Sequence, residues 1–129
     1  MNIKLHKPTE KELEILQELW VNGPSTVRHI NEVLAVKTGI GYTTTLKLMQ
    51  IMFEKGLLSR SKEGKTHIYT TLVTKKQTQG QMLDKLMNTV FNGSAMNLVM
   101  QALGNQQSSK AELDEIRAYL DKLEGGIDE

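Results

Sequence analysis

The chain has 129 residues, 39% of them hydrophobic and 24% charged, with a formal net charge of +1 and no cysteine. That length suits one domain with an appendage or two small units, and the modest apolar share favours association as a way to complete a core. Disulfides, thiolate-ligated zinc and cysteine-based copper sensing are excluded. No apolar run reaches the roughly 18 residues of a membrane span, and residues 1–8 lack a signal-peptide core, so a cytoplasmic protein without direct membrane insertion is expected.

The elements follow in chain order. Thr9-Glu10-Lys11-Glu12 has capping-box spacing, and Leu13, Leu16, Leu19 and Trp20 follow at helical intervals. Asn22-Gly23-Pro24 ends this first helix. Ser25 or Thr26 then caps a second, with Val27, Ile30, Val33 and Leu34 as its buried side and Lys37–Gly41 as a turn. The third helix is expected from near Gly41 to Gly56. On a wheel, Tyr42, Thr45, Leu46, Met49, Met52 and Phe53 share the inner face. Thr44, Lys47, Ile51 and Glu54 point outward, with Thr43 and Gln50 on the flank. Residues 57–61 and 66–71, joined through Lys62-Glu63-Gly64-Lys65, form a β-hairpin.

The back half reads as helices. Thr74–Gln77 is a second capping box, followed by Met82, Leu83, Leu86, Met87, Val90 and Phe91; Asn92-Gly93-Ser94 breaks the pattern. Ala95–Leu103 is a short apolar helix, and Gly104–Ser108 is loop-like. Ser109–Glu112 is a third capping box, opening a helix with Leu113, Ile116, Tyr119, Leu120 and Leu123 that Gly125-Gly126 ends. The charge is asymmetric: residues 1–74 hold ten Lys/Arg and seven Asp/Glu, residues 75–129 six and eight. A basic front half tilts the reading toward a polyanion at that end.

Three helices and a hairpin, in this order, describe a winged helix-turn-helix, so the expected fold is mainly α with a small β-hairpin. Residues 1–73 form the DNA-binding domain and residues 74–129 a helical dimerisation region. The third helix buries one face and offers the other to a major groove. Thr43, Thr44, Lys47 and Gln50 are the candidate base- or phosphate-contacting residues there. Arg28, Arg60, Lys62 and Lys65 are candidates to grip the DNA backbone. Other readings stay open at these positions: Thr43 and Thr44 can bond their own backbone, and Lys62 and Lys65 can be an ordinary solvated turn. Outward Ile51 either touches thymine methyls or is merely exposed. His6, His29 and His67 lack metal spacing, so no metal or cofactor is expected, and the seven methionines read as core packing. Glu12, Glu14 and Glu18 read as the solvated face of the first helix.

The stretch Gly41-Tyr42-Thr43-Thr44-Thr45-Leu46-Lys47-Leu48-Met49-Gln50-Ile51-Met52, followed by Lys55-Gly56-Leu57-Leu58, resembles the recognition helix of the penicillinase repressor family. That family includes regulators of β-lactamase and methicillin resistance and copper-responsive repressors. Glu12–Leu16 through Trp20 is similar to its first helix, and Glu63-Gly64-Lys65 through Tyr69 to its wing. Weaker similarity runs on over nearly the whole chain. The resemblance implies a homodimer on a palindromic promoter operator, with the C-terminal helices as the interface. In the antibiotic-responsive branch it implies cleavage in the C-terminal region, triggered by a membrane sensor protease. Gln101-Ala102 stands where that branch has Asn-Phe, and the copper branch's C-terminal cysteines are absent. The basic residue often found at the position of Ile51 is absent as well.

The residues themselves point to association. Stripes carrying Leu83, Leu86, Val90, Phe91, Leu98, Val99, Leu113, Ile116 and Leu120 are too dense to bury on one small winged domain, so exchange with a second copy is expected. A compact monomer with its back half packed on its front is the alternative. For function, the alternative to DNA binding is a winged-helix module that binds protein. An enzyme has no support from a nucleophile, a phosphate loop or an acid–base cluster.

Overall fold

The computed structural model describes residues 7–105 and 107–127; His6 and Gln106 lie outside them. Helices α1 (Glu10–Asn22), α2 (Val27–Thr38) and α3 (Tyr42–Glu54) precede an antiparallel hairpin of β1 (Leu58–Glu63) and β2 (Thr66–Thr71). Helices α4 (Lys75–Thr89), α5 (Ala95–Asn105) and α6 (Lys110–Ile127) follow. The fold is mainly α with one small hairpin, as expected. None of the described helices is long and apolar enough to cross a membrane.

Local chemistry sets the helix ends. Thr9 Oγ1 accepts from the Glu12 amide at 3.2 Å, and the Glu12 carboxylate accepts from the Thr9 amide at 2.9 Å, the reciprocal pair of a capping box. Thr74 and Gln77 repeat it at the start of α4, both bonds 3.0 Å long. At α2 the cap is Thr26, whose hydroxyl accepts from the His29 amide. Ser25 instead pairs its backbone with Tyr69 in β2, at 3.0 and 2.8 Å. α2 runs to Thr38 before Gly39 turns left-handed, so the turn is shorter than expected.

At the end of α3, Leu57 N–H donates to Met52 O and Gly56 N–H to Phe53 O, a Schellman closure with Gly56 at φ 85°. A Cβ built on Gly56 meets nothing within 4 Å. Gly56→Ala is therefore expected to cost about 1–2 kcal/mol from left-handed backbone strain alone. A lower urea midpoint at unchanged slope would bear this out, and an unchanged midpoint would refute it.

The chain divides into two compact units, Met1–Asp84 and Lys85–Glu129. In the first, the core comprises Ile15, Leu16 and Leu19 of α1, Val27, Ile30 and Leu34 of α2, and Met49 and Met52 of α3, closed by Leu57, Leu58 and Tyr69. The division falls inside α4, beyond the end of the hairpin at Thr71. The start of α4 is tied to this core region: Thr78 is buried, and Trp20 Nε1 donates to Val73 O at 3.0 Å.

Two acidic residues expected in solvent are buried. Glu12 is 2% and Glu18 8% exposed. Lys55 reaches Glu12 at 2.8 Å and Lys37 reaches Glu18 at 2.6 Å, which makes their burial tolerable.

In the second unit, Asn92 (φ 50°) and Gly93 (φ 81°) break the helix as expected, and Ser94 caps α5 through the Asn97 amide. Two boundaries differ from expectation. α5 absorbs Gly104 and Asn105, and α6 continues through Gly125 and Gly126 to Ile127. Glycine weakens a helix by about 1 kcal/mol but keeps its N–H, so it need not stop one. Met49 and Met52 are core residues, whereas Met96 and Met100 on α5 are exposed.

Candidate nucleic-acid interface

α3 faces two ways. Thr45, Met49 and Met52 are buried, while Thr43, Thr44, Lys47 and Gln50 are exposed. Thr45 fixes the turn before it: its hydroxyl donates to Gly41 O at 3.1 Å and accepts from Asn31 Nδ2 at 3.0 Å. The same Asn31 amide donates to Ile40 O at 3.0 Å, so α2 sets where α3 begins. Of the three consecutive threonines only Thr45 is engaged by such bonds among the described residues, which leaves the Thr43 and Thr44 hydroxyls available. Ile51 is half-buried rather than fully outward.

The hairpin register pairs Arg60 with Tyr69, Lys62 with His67 and Glu63 with Thr66, with Gly64 left-handed at the tip. Lys62 and Lys65 are exposed. Arg60 sits at the wing's base, with its guanidinium 4.0 Å from the centre of the Phe53 ring and Nη1 donating to Tyr69 Oη at 3.4 Å. Such a stack holds the guanidinium plane in place. Arg28 is exposed in the first turn of α2. Among the described residues, Arg28, Lys47, Arg60, Lys62 and Lys65 form no ion pair, whereas Lys37 and Lys55 are committed to glutamates.

Tyr42 departs from the wheel. Expected on the inner face, it is 48% exposed. Side chains in a first helical turn lean back past the helix start, beyond the body on which the rest of that face packs. Tyr42 lines a cleft of about 420 Å³ with Thr26, Arg28, Lys65, Thr66 and His67. The structure thus brings Arg28 and Lys65, 37 positions apart in the chain, to one opening. Tyr42 and His67 join them there, and neither was a candidate from sequence. Gln50 and Lys62 do not line this cleft.

The residues expected at a dimer interface lie on α4–α6. Leu83, Leu86, Val90, Val99 and Leu120 are exposed within the single chain, and Phe91, Leu98, Leu113 and Ile116 are half-buried. No described residue of α5 or α6 is fully buried. Gln101 and Ala102 are both exposed, within α5.

Comparison with known proteins agrees with this architecture. The methicillin resistance regulatory protein MecI of Staphylococcus aureus is 23% identical over 122 residues, covering 95% of this chain and 99% of that protein. The transcriptional regulator BlaI of Mycobacterium tuberculosis is 26% identical over 125 residues, covering 95% and 89%. Among solved structures, the DNA binding domain of the repressor BlaI superposes with a TM-score of 0.52 at 21% identity, over 56% of this chain and 88% of that domain. The sequence model described as Penicillinase repressor matches residues 8–122. With nearly the full length matched and the winged-helix order present, the chain belongs to the penicillinase repressor family.

Proposed function

We propose that the protein is a cytoplasmic, homodimeric transcriptional repressor that occupies a palindromic promoter operator and acts by blocking access, without catalysis. The observation that carries this reading is the outward face of α3, where Thr43, Thr44, Lys47 and Gln50 are exposed beside a wing whose Lys62 and Lys65 form no ion pair among the described residues. Side chains of this kind suit base edges and phosphates in a major groove. Relatives named as repressors and regulators of resistance support it. A second copy packed on α4–α6 would present two recognition helices to two half-sites about one helical turn, or a multiple, apart. Relief by a membrane sensor protease system belongs to the same proposal, with the bond Gln101–Ala102 exposed on α5. That bond lies in a helix, so cleavage there requires α5 to unwind locally.

The deciding experiment is a gel-shift titration with the DNA upstream of the protein's own gene against a scrambled duplex, at two salt concentrations. Selective, salt-steep binding is expected, and equal feeble binding to a panel of genomic promoters and to the scrambled duplex would overturn the proposal in favour of a protein partner. Point variants separate the contacts. Thr44→Ala is expected to lose about 1–3 kcal/mol of discrimination at one base position and leave other positions unchanged. Lys62→Ala is expected to weaken every duplex alike and flatten the salt dependence by about 0.9 in log–log slope. A uniform loss for Thr44→Ala, or a changed base preference for Lys62→Ala, would reverse these assignments.

A further inference from the structure

Resting on that reading, we propose that the cleft between the starts of α2 and α3 and the wing is a seat for a single DNA backbone phosphate, gripped jointly by Arg28, Lys65 and the Tyr42 hydroxyl. Its lining holds the two cations with His67, Thr26 and Thr66, and no carboxylate. Neither Arg28 nor Lys65 is paired with an acid among the described residues. Two like charges aimed into one opening repel each other, and an anion held between them removes that cost. A half-exposed tyrosine at the rim adds a neutral donor with an aromatic body that shields one side of the opening.

The geometry favours a phosphodiester of bound duplex over a free anion. Tyr42 begins the helix whose next two residues, Thr43 and Thr44, face outward toward the proposed groove. A phosphate fixed at Tyr42 therefore sets how far α3 slides along the groove, which is the positioning role of backbone contacts. Lys65 reaches the same seat from the turn just before β2, while Lys62 stays on β1 outside it. The two wing lysines accordingly have different tasks.

A shared seat has a thermodynamic signature that separate contacts lack. The full chain would be prepared as Arg28→Ala, Lys65→Ala, the double variant and Tyr42→Phe, and titrated with one fixed duplex over a range of salt. Each charge deletion is expected to weaken binding about tenfold. The double variant is expected to fall well short of the hundredfold product, because the first deletion already loosens the phosphate. Its salt slope should drop by about 0.9, the loss of one phosphate, where two independent phosphates would lose about 1.8. Arg28→Ala with Lys62→Ala serves as the additive control. A multiplicative loss with the larger slope change, or no loss from either single variant, would overturn the shared seat and leave the repressor reading standing. Absence of salt-dependent duplex binding by the parent chain would remove both. Tyr42→Phe is expected to weaken binding severalfold on every sequence, and a change in base preference instead would take the tyrosine out of the seat.

Discussion

A chain carrying both Leu86→Glu and Leu120→Glu is expected to sediment as a monomer and to bind operator DNA at least about a hundredfold more weakly than the parent. Leu86 and Leu120 are 42% and 54% exposed in the single chain, on α4 and α6. Burying a leucine completely contributes about 1.5–3 kcal/mol, and a carboxylate forced into the same apolar contact costs several more. In an isolated chain the same glutamates sit at exposed positions, where substitutions shift stability by only about half a kcal/mol. Association and folding are thereby separated. The loss on DNA follows from linkage: in a dimer the second half-site binds at a millimolar effective concentration, a gain of about 10²–10⁴. Sedimentation across concentrations and gel shifts on full and half operators check the two parts. A variant that remains dimeric would place the interface elsewhere. A monomeric variant with undiminished operator affinity would disconnect dimerisation from repression.

Lys55→Met is expected to destabilise the winged unit by about 2–3 kcal/mol, more than the double variant Lys55→Met with Glu12→Gln. The Glu12 carboxylate is nearly inaccessible, and its two oxygens are shared between the Thr9 amide and Lys55 Nζ. Removing the lysine leaves a buried negative charge with one neutral donor. The full cost of an orphaned buried ion is about 3–5 kcal/mol, reduced here because Lys55 is 31% exposed and water reaches that side. Glutamine at position 12 keeps the capping-box acceptor without the charge, so the double variant should recover to within about 1 kcal/mol of the parent. Trp20, the single tryptophan, sits beside this core and reports on it by fluorescence during urea unfolding. If the double variant were as unstable as Lys55→Met alone, packing of the lysine stem rather than charge pairing would explain the loss.

Much of the fold was legible because its signals are local. Thr9 with Glu12, and Thr74 with Gln77, announce helix starts within four residues, and Gly56 announces an end through a backbone conformation only glycine adopts cheaply. The outward and inward faces of α3 followed from 3.6-residue periodicity, Thr45 included. Other features depend on distant partners. The burial of Glu12 and Glu18 is set by lysines 43 and 19 residues away, and no periodicity separates a paired glutamate from a solvated one. Tyr42 was misplaced because a wheel discards position along the helix axis, and a first-turn side chain leans back past the body on which the rest of its face packs. The cleft around Arg28 and Lys65 was illegible as a unit, since only the docking of β2 near the start of α2 brings its walls together.

The residues that fasten the wing and the residues at its tip do not overlap. Tyr69 holds the hairpin by pairing its backbone with Ser25 and by receiving Arg60, which in turn rests on Phe53. None of these lies in the segment from Ser61 to Thr66, whose side chains all face solvent. The tip is therefore a cassette: its charge and length can be exchanged without repacking the body that aims α3. Duplicated copies of such a repressor can diverge in how tightly they grip DNA while the angle of the reading helix is inherited unchanged.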